Sequence, residues 1–589
     1  MNAELPSLGA LLGKALAARA PTGDRPLLAA TVQLLLDERA NGHVCLALAE
    51  HAGTRAPGGS LFPPVEAWTT ALRATGVCAA ATDGLADATG PALPLVLDGA
   101  ARLYLRRDHL AERTLATFVR DRLRTPDPAD GTALRAELDT LWPQTADRER
   151  PDWQRIAVAA AVRHSLCVLT GGPGTGKTTT IAWLLAVLLH RQPDLRIALA
   201  APTGKAASRL HEALLARAAT IPSLRAVAER LRPTTLHRLL GYAPSRDTFW
   251  RGPDSPLPCD VVVVDEASMA DPTLLAQLCS ALPAHARLVL AGDRDQLAAV
   301  AAGQALGDLC RAVAGAGCVS RPFARFVRAV TGDELPVSDR ATTLADAIVA
   351  LQTSRRFGAL PGIGAFAQAL ARRDAASALA ALQAGHADLQ IEPEASRAFA
   401  AFAPTVLAAV RAGNAADAIR TGRILCAVRH GPHGALAWNA RVEAFLQQHG
   451  VRTADPWYPG RQVLVTANDH ANNVWNGDLG VVVVDAEGKT QVAFPLGDGS
   501  VRHIAPRRLP AHETAWATTI HKAQGSEFDH VLVAVPDQPG PWWQAPMLYT
   551  GITRARQRAI VCADPNLLGP ALAHWPTRSS GLADALARL

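Results

Sequence analysis

The stretch Gly171-Gly-Pro-Gly-Thr-Gly-Lys-Thr178 decides which fold this sequence predicts, because it matches the phosphate-binding pattern G-x-x-x-x-G-K-[ST]. The apolar run Leu166–Leu169 before it predicts a buried strand, and the run Ile181–Leu189 after it predicts a helix. In a strand–loop–helix unit of this kind, the glycines let backbone N–H groups and the helix N-terminus face an anion. We therefore expect Lys177 to reach the β- and γ-phosphates of a nucleotide and the Thr178 hydroxyl to hold Mg²⁺. The alternative is a Gly-rich turn with a purely structural role.

Apolar strand candidates alternate with helical stretches between about Trp153 and Gly303. This alternation is typical of a parallel α/β sheet. A second stretch of the same kind runs from about Leu344 to the C-terminus, so the sequence predicts two α/β units. The predicted strands are Leu166–Leu169, Ile197–Ala200, Val261–Val264 and Leu288–Leu290 in the first unit, and Ile424–Val428, Val531–Val535 and Ala559–Cys562 in the second.

Changes of sequence character divide the rest of the chain. Residues from Gly460 to about Pro510 are β-rich and interrupted by Asn, Gly and Asp turns, which predicts a small β-barrel insertion in the second unit. The first residues, to about Arg124, look mostly helical. Thr125–Gly131 is typical of a linker because Pro, Asp and Gly interrupt helices and strands. The predicted domains are residues 1–124, 125–345 and 346–589.

The composition narrows the class of protein. The chain has 589 residues, of which 49% are hydrophobic, so several buried cores are expected. Its nine cysteines include no C-x-x-C pair, which favours reduced thiols and a cytoplasmic location. We expect no secretory signal and no membrane helix, because a basic and apolar leader and an apolar run of about 18 residues are both missing from the sequence. The net charge of +6 permits a polyanionic partner without requiring one.

Two acidic residues end a four-valine strand. Val261–Val264 suits a buried parallel strand, and Asp265 and Glu266 follow at the edge where nucleotides bind in such sheets. We expect Asp265 to hold Mg²⁺, either directly or from the next layer of ligands. Glu266 is the candidate general base that polarises the attacking water. The alternative is a capped strand end with two solvated carboxylates.

Three more polar side chains are candidates for phosphate chemistry. Gln296 follows the strand Leu288–Leu290, where it would sense the γ-phosphate. Hydrolysis also needs cations that stabilise charge on the transferred phosphoryl group. Arg356 and Arg554 are candidates for this role from the second α/β unit. A lone arginine is usually a solvated surface residue, so this assignment depends on nucleotide binding between the two units.

The ordered set of these motifs resembles the successive motifs of superfamily 1 DNA helicases. The sequences of Asp265–Met269 and Thr519–Phe528 resemble the corresponding motifs of the RecD family, whose members translocate 5′-to-3′ on single-stranded DNA. The resemblance implies two RecA-like α/β motor domains, an SH3-like β-barrel insertion, and ATP with Mg²⁺ as cofactors. The segments that carry it are Gln154, Gly171–Thr178, Ala201–Ala206, Thr235–Arg238, Asp265–Met269, Gly292–Leu297, Arg356, Ala517–Phe528 and Tyr549–Ala555.

The same resemblance implies roles for individual residues. The catalytic set would be Lys177, Glu266, Gln296 and two arginine fingers, Arg356 and Arg554. Residues 242–258 fall where the family has a short pin that splits the duplex. Nucleotide contacts would come from Gln154 at the adenine edge, from Gly171, Gly172, Pro173, Gly174, Thr175, Gly176, Lys177, Thr178 and Thr179, and from Glu527, which with Gln524 lies in the motif that links DNA to nucleotide. The DNA strand would contact Thr203, His237, Thr519 and His521.

The resemblance to the RecD family extends beyond the motor motifs. It implies a helicase subunit of exodeoxyribonuclease V with RecB-like and RecC-like partners. Such a complex acts on single-stranded and double-stranded DNA ends in double-strand break repair, recombination and the degradation of linear DNA. Residues 1–124 would dock the partners, and no nuclease centre is expected on this chain. The additional segments are His43–Leu48, Leu103–Glu112, Arg429–Gly434, Trp438, Asn439 and Asn476–Gly480.

Several alternatives stay open at this stage. Arg355 competes with Arg356 as the finger, and residues 311–345 match the family poorly and receive no role. A stand-alone RecD-like helicase and a DNA-binding ATPase without unwinding activity are the alternative functions, although the N-terminal region is too short for the helix–hairpin–helix array of the stand-alone enzymes. A metal-nuclease reading competes with a simple hairpin turn at Asp478, Asp485, Glu487, Gly488 and Lys489.

Overall fold

A computed structural model gives the fold of the chain. It describes all residues except 1–6, 58, 82–91, 125–128, 143–149, 220, 222–223, 226–227, 314–316, 355, 470, 497–498 and 589. The alternative finger Arg355 and most of the predicted linker Thr125–Gly131 therefore lie outside the described residues. Within the described ranges, no helix is both long enough and apolar enough to cross a membrane.

The N-terminal segment combines helices with a small mixed sheet. Its elements are α1 (Leu8–Arg19), α2 (Arg25–Ala40), β1 (Cys45–Ala47), α3 (Leu48–His51), α4 (Val65–Ala74), β2 (Cys78–Ala80), β3 (Leu95–Leu97), β4 (Arg102–Leu105) and α5 (Arg106–Leu123). The sheet has the order β1-β4-β3-β2, in which β2 and β3 are parallel and the other pairs antiparallel. The prediction of a mostly helical segment missed this sheet, because strands of three or four residues are too short to show an alternating pattern.

Helix α5 packs on the first motor domain. Its buried side chains Leu115, Val119 and Leu123 share an apolar cluster with Leu166 and Leu288 of the motor sheet. The predicted boundary at residue 124 therefore cuts through a packed core. Helix α5 is shared by the two units, because Asp108 near its start pairs with Arg39 of α2, while its later residues cover one face of the motor sheet.

The first motor domain contains a six-stranded sheet flanked by helices. Its elements are α6 (Gly131–Leu141), α7 (Trp153–Arg163), β5 (Leu166–Gly171), α8 (Lys177–Arg191), β6 (Ile197–Ala201), α9 (Gly204–Ala218), β7 (Thr234–Thr235), α10 (Leu236–Leu239), β8 (Tyr242–Ala243), β9 (Thr248–Phe249), β10 (Val261–Val264), α11 (Pro272–Ala281), β11 (Arg287–Gly292), α12 (Ala305–Ala312), α13 (Arg321–Thr331), α14 (Thr343–Ala347) and β12 (Ile348–Leu351). The order is β12-β5-β11-β10-β6-β7, and all paired strands are parallel. This topology agrees with the predicted RecA-like unit.

Two details of this domain correct or complete the prediction. Strand β12 pairs with β5, so the first motor sheet continues past the predicted boundary at residue 345. Helix α13 lies within the stretch 311–345 that received no role. Its side chains Phe323, Val327 and Val330 are buried in the core that also holds the helices next to the phosphate-binding loop. This stretch is therefore partly an outer layer of the first motor domain.

A short hairpin projects within the predicted pin segment 242–258. Strands β8 and β9 pair antiparallel, with Tyr242 opposite Phe249. The next residue, Trp250, is 70% exposed, which is unusual for a side chain of this size. The hairpin places aromatic side chains on a protrusion of the first motor domain.

The second motor domain surrounds a five-stranded sheet and contains a second, antiparallel sheet. Its elements are α15 (Pro361–Ala371), α16 (Ala375–Gln383), β13 (Leu389–Ile391), α17 (Ala395–Val410), α18 (Ala415–Thr421), β14 (Gly422–Cys426), α19 (Ala435–Gln448), β15 (Gln462–Val465), β16 (Leu479–Val484), β17 (Thr490–Pro495), β18 (Val501–Ile504), β19 (His512–Thr514), β20 (Ala517–Thr519), β21 (Phe528–Ala534), α20 (Ala545–Ile552), β22 (Ala555–Cys562), α21 (Pro565–Ala573) and α22 (Leu582–Ala587). The motor sheet has the order β13-β22-β21-β14-β20 with parallel pairs throughout.

The β-rich insertion is a five-stranded antiparallel sheet in the order β18-β17-β16-β15-β19. Its buried core is small and includes Val463, Val482 and Phe494. The sheet continues to Thr514, a little beyond the predicted end near residue 510, because β19 closes on the first strand of the insertion.

The residues after the second motor sheet return to the N-terminal half of the chain. Helix α22 packs against α5 and α12. The Val44 N–H donates to the Ser579 carbonyl over 2.9 Å, and Arg102 pairs with Asp584 at 2.6 Å. The predicted domain 346–589 is thus too long at its end, since these last residues pack on the first two units.

Candidate active site between the two motor domains

A cleft of about 620 Å³ lies between the two motor domains. One wall of the cleft consists of the phosphate-binding loop, the start of α8 and the acidic end of β10. The opposite wall includes the side chains of Arg356, Glu527 and Arg554, which follow β12 in the chain. Gly171 lies beside the cleft, where its carbonyl accepts a hydrogen bond from Lys177. The predicted residues that line the cleft are Gln154, Gly172, Pro173, Gly174, Thr175, Gly176, Lys177, Thr178, Thr179, Asp265, Glu266, Gln296, Arg356, Glu527 and Arg554.

Two glycines of the loop adopt backbone angles that other residues rarely take. Gly174 has φ 75° and Gly176 has φ 91°. A Cβ atom at Gly176 would lie 2.1 Å from Gln154 Nε2, and one at Gly174 would lie 2.4 Å from Arg356 Cβ. The loop is therefore in close contact with the adenine candidate on one side and with a finger candidate on the other.

The loop leads directly into helix α8, which begins at Lys177. The N–H groups of a first helical turn have no partner within the helix, so they are available to an anion in the cleft. Lys177 Nζ donates to the carbonyls of Gly171 and Gly172 over 2.5 and 3.2 Å. This contact holds the ammonium group over the loop, where phosphate oxygens would lie.

The two acids after β10 differ in their surroundings and in their backbone conformation. The Asp265 carboxylate accepts the Glu266 N–H at 2.9 Å. Burial, together with the charge of Glu266, raises the pKa of Asp265, and Lys177 opposes this shift. Glu266 has φ 51°, a left-handed conformation that costs energy for a residue with a side chain and that occurs often at active sites. Asp265 and the Thr178 hydroxyl supply oxygen ligands of the kind that Mg²⁺ prefers.

Gln296 is held by a network that joins the two motor domains. Gln296 Nε2 donates to Asp293 Oδ2 at 2.9 Å, and the Tyr549 hydroxyl donates to the same oxygen at 3.0 Å. One residue further on, the Leu297 N–H donates to Thr550 Oγ1, and its carbonyl accepts from Gln524 Nε2. The γ-phosphate candidate is therefore connected to the second motor domain through hydrogen bonds.

The two finger candidates reach the cleft from the second motor domain. Arg356 Nη2 donates to Glu527 Oε1 at 2.6 Å, while Arg356 Nη1 is buried and has no hydrogen-bond partner among the described residues. Arg554 is 3% exposed, and the Thr550 and Ser526 carbonyls accept its hydrogen bonds. Burial lowers the pKa of Arg356, and Glu527 opposes this shift. Both guanidinium groups therefore have hydrogen-bonding capacity towards a phosphate in the cleft.

Sequence reasoning missed one residue of this site and the role of another. Arg209 lines the cleft and donates to the Gly525 carbonyl. Burial alone would raise the pKa of Glu527, but Arg209, Arg356 and Arg554 together lower it. The role of Tyr549 was missed as well: it belongs to the predicted motif Tyr549–Ala555, but its hydrogen bond to Asp293 was not foreseen. Arg209 lies on α9 one turn after Lys205, so helical spacing from the motif Ala201–Ala206 was the available signal.

The four predicted DNA contacts lie outside the cleft, at the ends of strands. Thr203 caps α9, where its hydroxyl accepts the Ala206 N–H at 3.2 Å. His237 follows β7, the neighbour of β6, and its ring lies 5.3 Å from the Tyr242 ring of the hairpin. Thr519 ends β20, the edge strand of the second motor sheet, and His521 follows it in a short 3₁₀ turn.

The metal-nuclease alternative is not supported. Asp485 Oδ1 accepts the N–H groups of Glu487 and Lys489, and Gly488 has φ 78°, which is the geometry of a hairpin turn between β16 and β17. Asp478 lies elsewhere and accepts the Trp475 N–H. Over the residues that the structure describes, no group of three or more His, Cys, Asp or Glu side chains is suited to a metal ion.

Comparison with protein families agrees with this geometry. The AAA domain family matches residues 154–302, and the UvrD-like helicase C-terminal domain family matches residues 514–562. Both matches fall on the two motor domains that border the cleft. Together with these matches, the two parallel sheets, the phosphate-binding loop, the acidic strand end and the arginines from the opposite domain identify a superfamily 1 DNA helicase, an enzyme driven by ATP.

Within that class, the chain belongs to the RecD family. It is 37% identical to RecBCD enzyme subunit RecD of Mycobacterium tuberculosis, over 92% of this chain and 88% of that protein. It is 39% identical to the same subunit of Mycolicibacterium smegmatis, over 73% and 74% of the two chains. It is also 32% identical to the ATP-dependent RecD2 DNA helicase of Deinococcus radiodurans, over 78% of this chain and 55% of that one.

Proposed function

We propose that this chain is the 5′-to-3′ helicase subunit of a RecBCD-type helicase–nuclease. The observation that carries the proposal is the cleft between the two motor domains, where the loop around Lys177 faces Arg356 and Arg554. A nucleotide held there contacts both domains at once, so its hydrolysis changes the contacts between them. Translocation along DNA requires such a coupling, whereas simple nucleotide storage does not.

We assign the steps of ATP hydrolysis to individual side chains. Glu266 accepts a proton from the attacking water, and Gln296, oriented by Asp293, senses the γ-phosphate. Lys177, Arg356 and Arg554 stabilise the charge that develops on the transferred phosphoryl group. Thr178 and Asp265 would hold Mg²⁺, which would supply further positive charge. Gln154, at the side of the loop, contacts the adenine.

The remaining assignments concern DNA and partners. We propose that Thr203, His237, Thr519 and His521 contact a single strand, and that the hairpin within residues 242–258 meets the duplex as a pin. The β-rich insertion would be SH3-like, as the family resemblance implies. RecB-like and RecC-like subunits are the proposed partners, with DNA ends as the substrate in double-strand break repair and recombination. We propose a cytoplasmic location, in keeping with nine free cysteines.

The proposal is tested by ATPase and unwinding assays on the purified chain and on its complex. Hydrolysis should be stimulated by single-stranded DNA, and a duplex with a 5′ tail should be unwound in preference to one with a 3′ tail. Lys177→Gln should abolish both activities while the protein stays folded, because the lysine is the first residue of α8 and its side chain lies outside the apolar core. Lys489→Gln, an exposed lysine in a hairpin turn of the insertion, is the matched control.

Two outcomes would contradict the proposal. A preference for 3′ tails would remove the assignment of polarity. Hydrolysis that DNA does not stimulate would instead favour a DNA-independent ATPase. Salt titration provides a further check, because contacts with phosphates make DNA affinity fall as salt rises.

A further inference from the structure

The loop that follows Gln296 and Leu297 has no polar side chain of its own. Residues 298–303 read Ala-Ala-Val-Ala-Ala-Gly, and Val300 is 81% exposed. We call this segment the alanine loop. Side chains of these types cannot donate hydrogen bonds to the carbonyls of the loop, so its position depends on donors from elsewhere in the chain.

The C-terminal tail, residues 574–581 between α21 and α22, supplies such a donor. Arg578 Nη1 donates to the carbonyls of Ala301 and Gly303, over 2.9 and 2.7 Å. Burial lowers the pKa of the half-buried Arg578, and Asp308 opposes this shift. Because a guanidinium group stays charged in proteins, both bonds are charge-assisted and therefore stronger than bonds between neutral groups.

Arg578 is itself held in place. Two residues further on, the Ser580 hydroxyl lies 2.7 Å from Glu112 Oε1 and 2.8 Å from Asp308 Oδ2. On the other side, a Cβ atom at Gly42 would lie 2.7 Å from Arg578 Nε, which leaves the guanidinium group no free space in that direction. The arginine is thus a fixed point to which the alanine loop is bonded.

The two ends of the alanine loop are fixed as well. Leu297, just before it, is bonded to Thr550 and Gln524 of the second motor domain. Gly303 has φ 91°, and a Cβ atom there would lie 2.4 Å from Pro272 Cγ. Because only a few residues separate Ala301 from Gln296, a shift of the loop at Arg578 would be passed on to the Gln296 side chain.

We propose that Arg578 is a positioning residue for ATP hydrolysis, which holds the alanine loop where Gln296 is directed at the γ-phosphate. The inference rests on the role proposed for Gln296. It gives the C-terminal tail, which lies beyond the last helicase motif Tyr549–Ala555, a part in the reaction. Arg578 acts through the loop and does not reach the phosphate itself.

A direct contact with DNA is the competing role for Arg578. Burial and the charge of Arg578 together lower the pKa of His521, so the guanidinium group lies near a predicted DNA contact. Both Nη1 bonds of Arg578 are made to the alanine loop, however, which favours the positioning role. The experiments below separate the two.

The first experiment measures kcat and KM for ATP at saturating single-stranded DNA. Arg578→Ala should lower kcat between about 10- and 100-fold, the scale of a displaced catalytic group. KM should stay nearly unchanged, because the phosphate-binding loop is not altered. Arg578→Lys should regain part of the activity, since an ammonium group can donate to the same carbonyls. Arg588→Ala, which removes an exposed arginine near the end of the chain, should match wild type.

The second experiment asks whether Arg578 acts through Gln296. If it does, the double variant Arg578→Ala/Gln296→Ala should be no slower than Gln296→Ala alone. Losses that multiply in the double variant would overturn the proposal, and so would a wild-type kcat in Arg578→Ala beside a lowered kcat in Gln296→Ala. An unchanged kcat in Gln296→Ala would contradict the proposed role of Gln296 first, and this inference with it.

A glycine pair keeps the test decisive if Arg578→Ala does not fold. Gly303→Ala displaces the alanine loop and leaves Arg578 intact, so it should also lower kcat. Gly332→Ala is the matched control, because Gly332 has a similar φ of 77° and nothing that the structure describes lies within 4 Å of its Cβ position. Equal kcat values in the two glycine variants would overturn the proposal.

Salt dependence tests the competing role. The affinity for the oligonucleotide dT15 is titrated at several salt concentrations in wild type and in Arg578→Ala. A positioning residue should leave the slope of log K against log salt unchanged. A slope lowered by about 0.7, the value of one phosphate contact on a single strand, would show that Arg578 binds DNA and would overturn the proposal.

Discussion

The guanidinium group of Arg356 donates a hydrogen bond to the carboxylate of Glu527 over 2.6 Å. Arg356 faces the phosphate-binding loop, and Glu527 belongs to the motif that the family resemblance links to DNA. The same carboxylate lies 3.8 Å from Arg209, which is on the first motor domain. If the DNA-linked motif moves, the Glu527 carboxylate therefore transmits the movement directly to the finger candidate Arg356.

We expect Glu527→Gln to uncouple ATP hydrolysis from DNA. Without the negative charge of Glu527, Arg356 loses its ion pair. Its guanidinium group then no longer occupies the position that faces the phosphate only when DNA is bound. The ratio of DNA-stimulated to basal ATPase should fall by about tenfold, a typical coupling between sites. Steady-state ATPase with and without single-stranded DNA measures this ratio. Glu394→Gln, which removes a surface carboxylate paired with Arg397, should leave it unchanged, because such pairs contribute little.

Arg554→Ala should reduce kcat by ~10³, the scale expected for an arginine finger. ATP affinity should change much less, because the finger acts on charge that develops during transfer. Arg554 is buried and bonded to two carbonyls, so Arg554→Lys is measured as well to separate catalysis from folding. The exposed Arg397→Ala is the control. A rise in KM at constant kcat would mean that Arg554 binds ATP in the ground state.

Stability should depend on pH through Glu112. Ser580 Oγ lies 2.7 Å from Glu112 Oε1 and 2.8 Å from Asp308 Oδ2, and it accepts the Leu582 N–H. One hydroxyl proton cannot serve two carboxylates, so one of them carries a proton. Asp308 also accepts from Arg311, which assigns the proton to Glu112. Burial raises the pKa of Glu112 to about 8 from 4.5, with Asp308 adding to the shift and Arg102 opposing it.

The folded chain therefore retains a proton that the unfolded chain releases near pH 4.5. Glu112 alone should make the free energy of unfolding fall as pH rises from about 4.5 to 8, by at most about 1.4 kcal/mol per pH unit, and Asp308, whose pKa burial raises to about 6, adds to the fall below that pH. Glu112→Gln keeps the shape of the protonated acid and should flatten this dependence in denaturant titrations between about pH 6 and 8, above the range in which Asp308 titrates. The exposed Glu66→Gln should keep the wild-type slope. An unchanged slope in Glu112→Gln would show that other groups dominate.

Two deletions should separate partner docking from motor stability. Removal of residues 1–105 leaves α5 in place and should preserve most DNA-stimulated ATPase, while assembly with RecB-like and RecC-like chains is lost. Removal of residues 1–124 also exposes the apolar face that Leu115, Val119 and Leu123 cover. We expect that change to cost on the order of 5 kcal/mol of stability. Thermal unfolding, ATPase and co-purification provide the readouts. Stoichiometric co-purification of the shorter deletion would mean that the motor domains make the main contact.

The sequence predicts the structure best where a site is formed by residues that are adjacent in the chain. The loop from Gly171 to Thr178 and the acids Asp265 and Glu266 were predictable, since each depends on a strand end next to a turn or helix. The small N-terminal sheet was not, because its strands are too short to show periodicity. Arg209 and the role of Tyr549 were also missed, since these residues come together with Glu527 and Asp293 only through the packing of distant segments.

Domain boundaries failed for a related reason. A boundary is inferred from composition along the chain, whereas α5 and β12 join the first motor domain through contacts across it. Proline, aspartate and glycine near residue 125 indicate a break in regular structure. They do not indicate whether the preceding helix, α5, packs in the core of the N-terminal unit or in that of the first motor domain. The C-terminal tail shows the same limit, since nothing in its sequence indicates that it packs on strand-edge residues near Val44.

The return of the tail also sets an order of events during protein synthesis. Ser579 and Asp584 are translated long after Val44 and Arg102, yet the two pairs are joined by hydrogen bonds. The first unit to emerge from the ribosome therefore waits with an unpaired strand edge until nearly the whole chain has been made. A premature stop before Ser579 would leave that edge open and would also remove α22 from the core that it shares with α5 and α12.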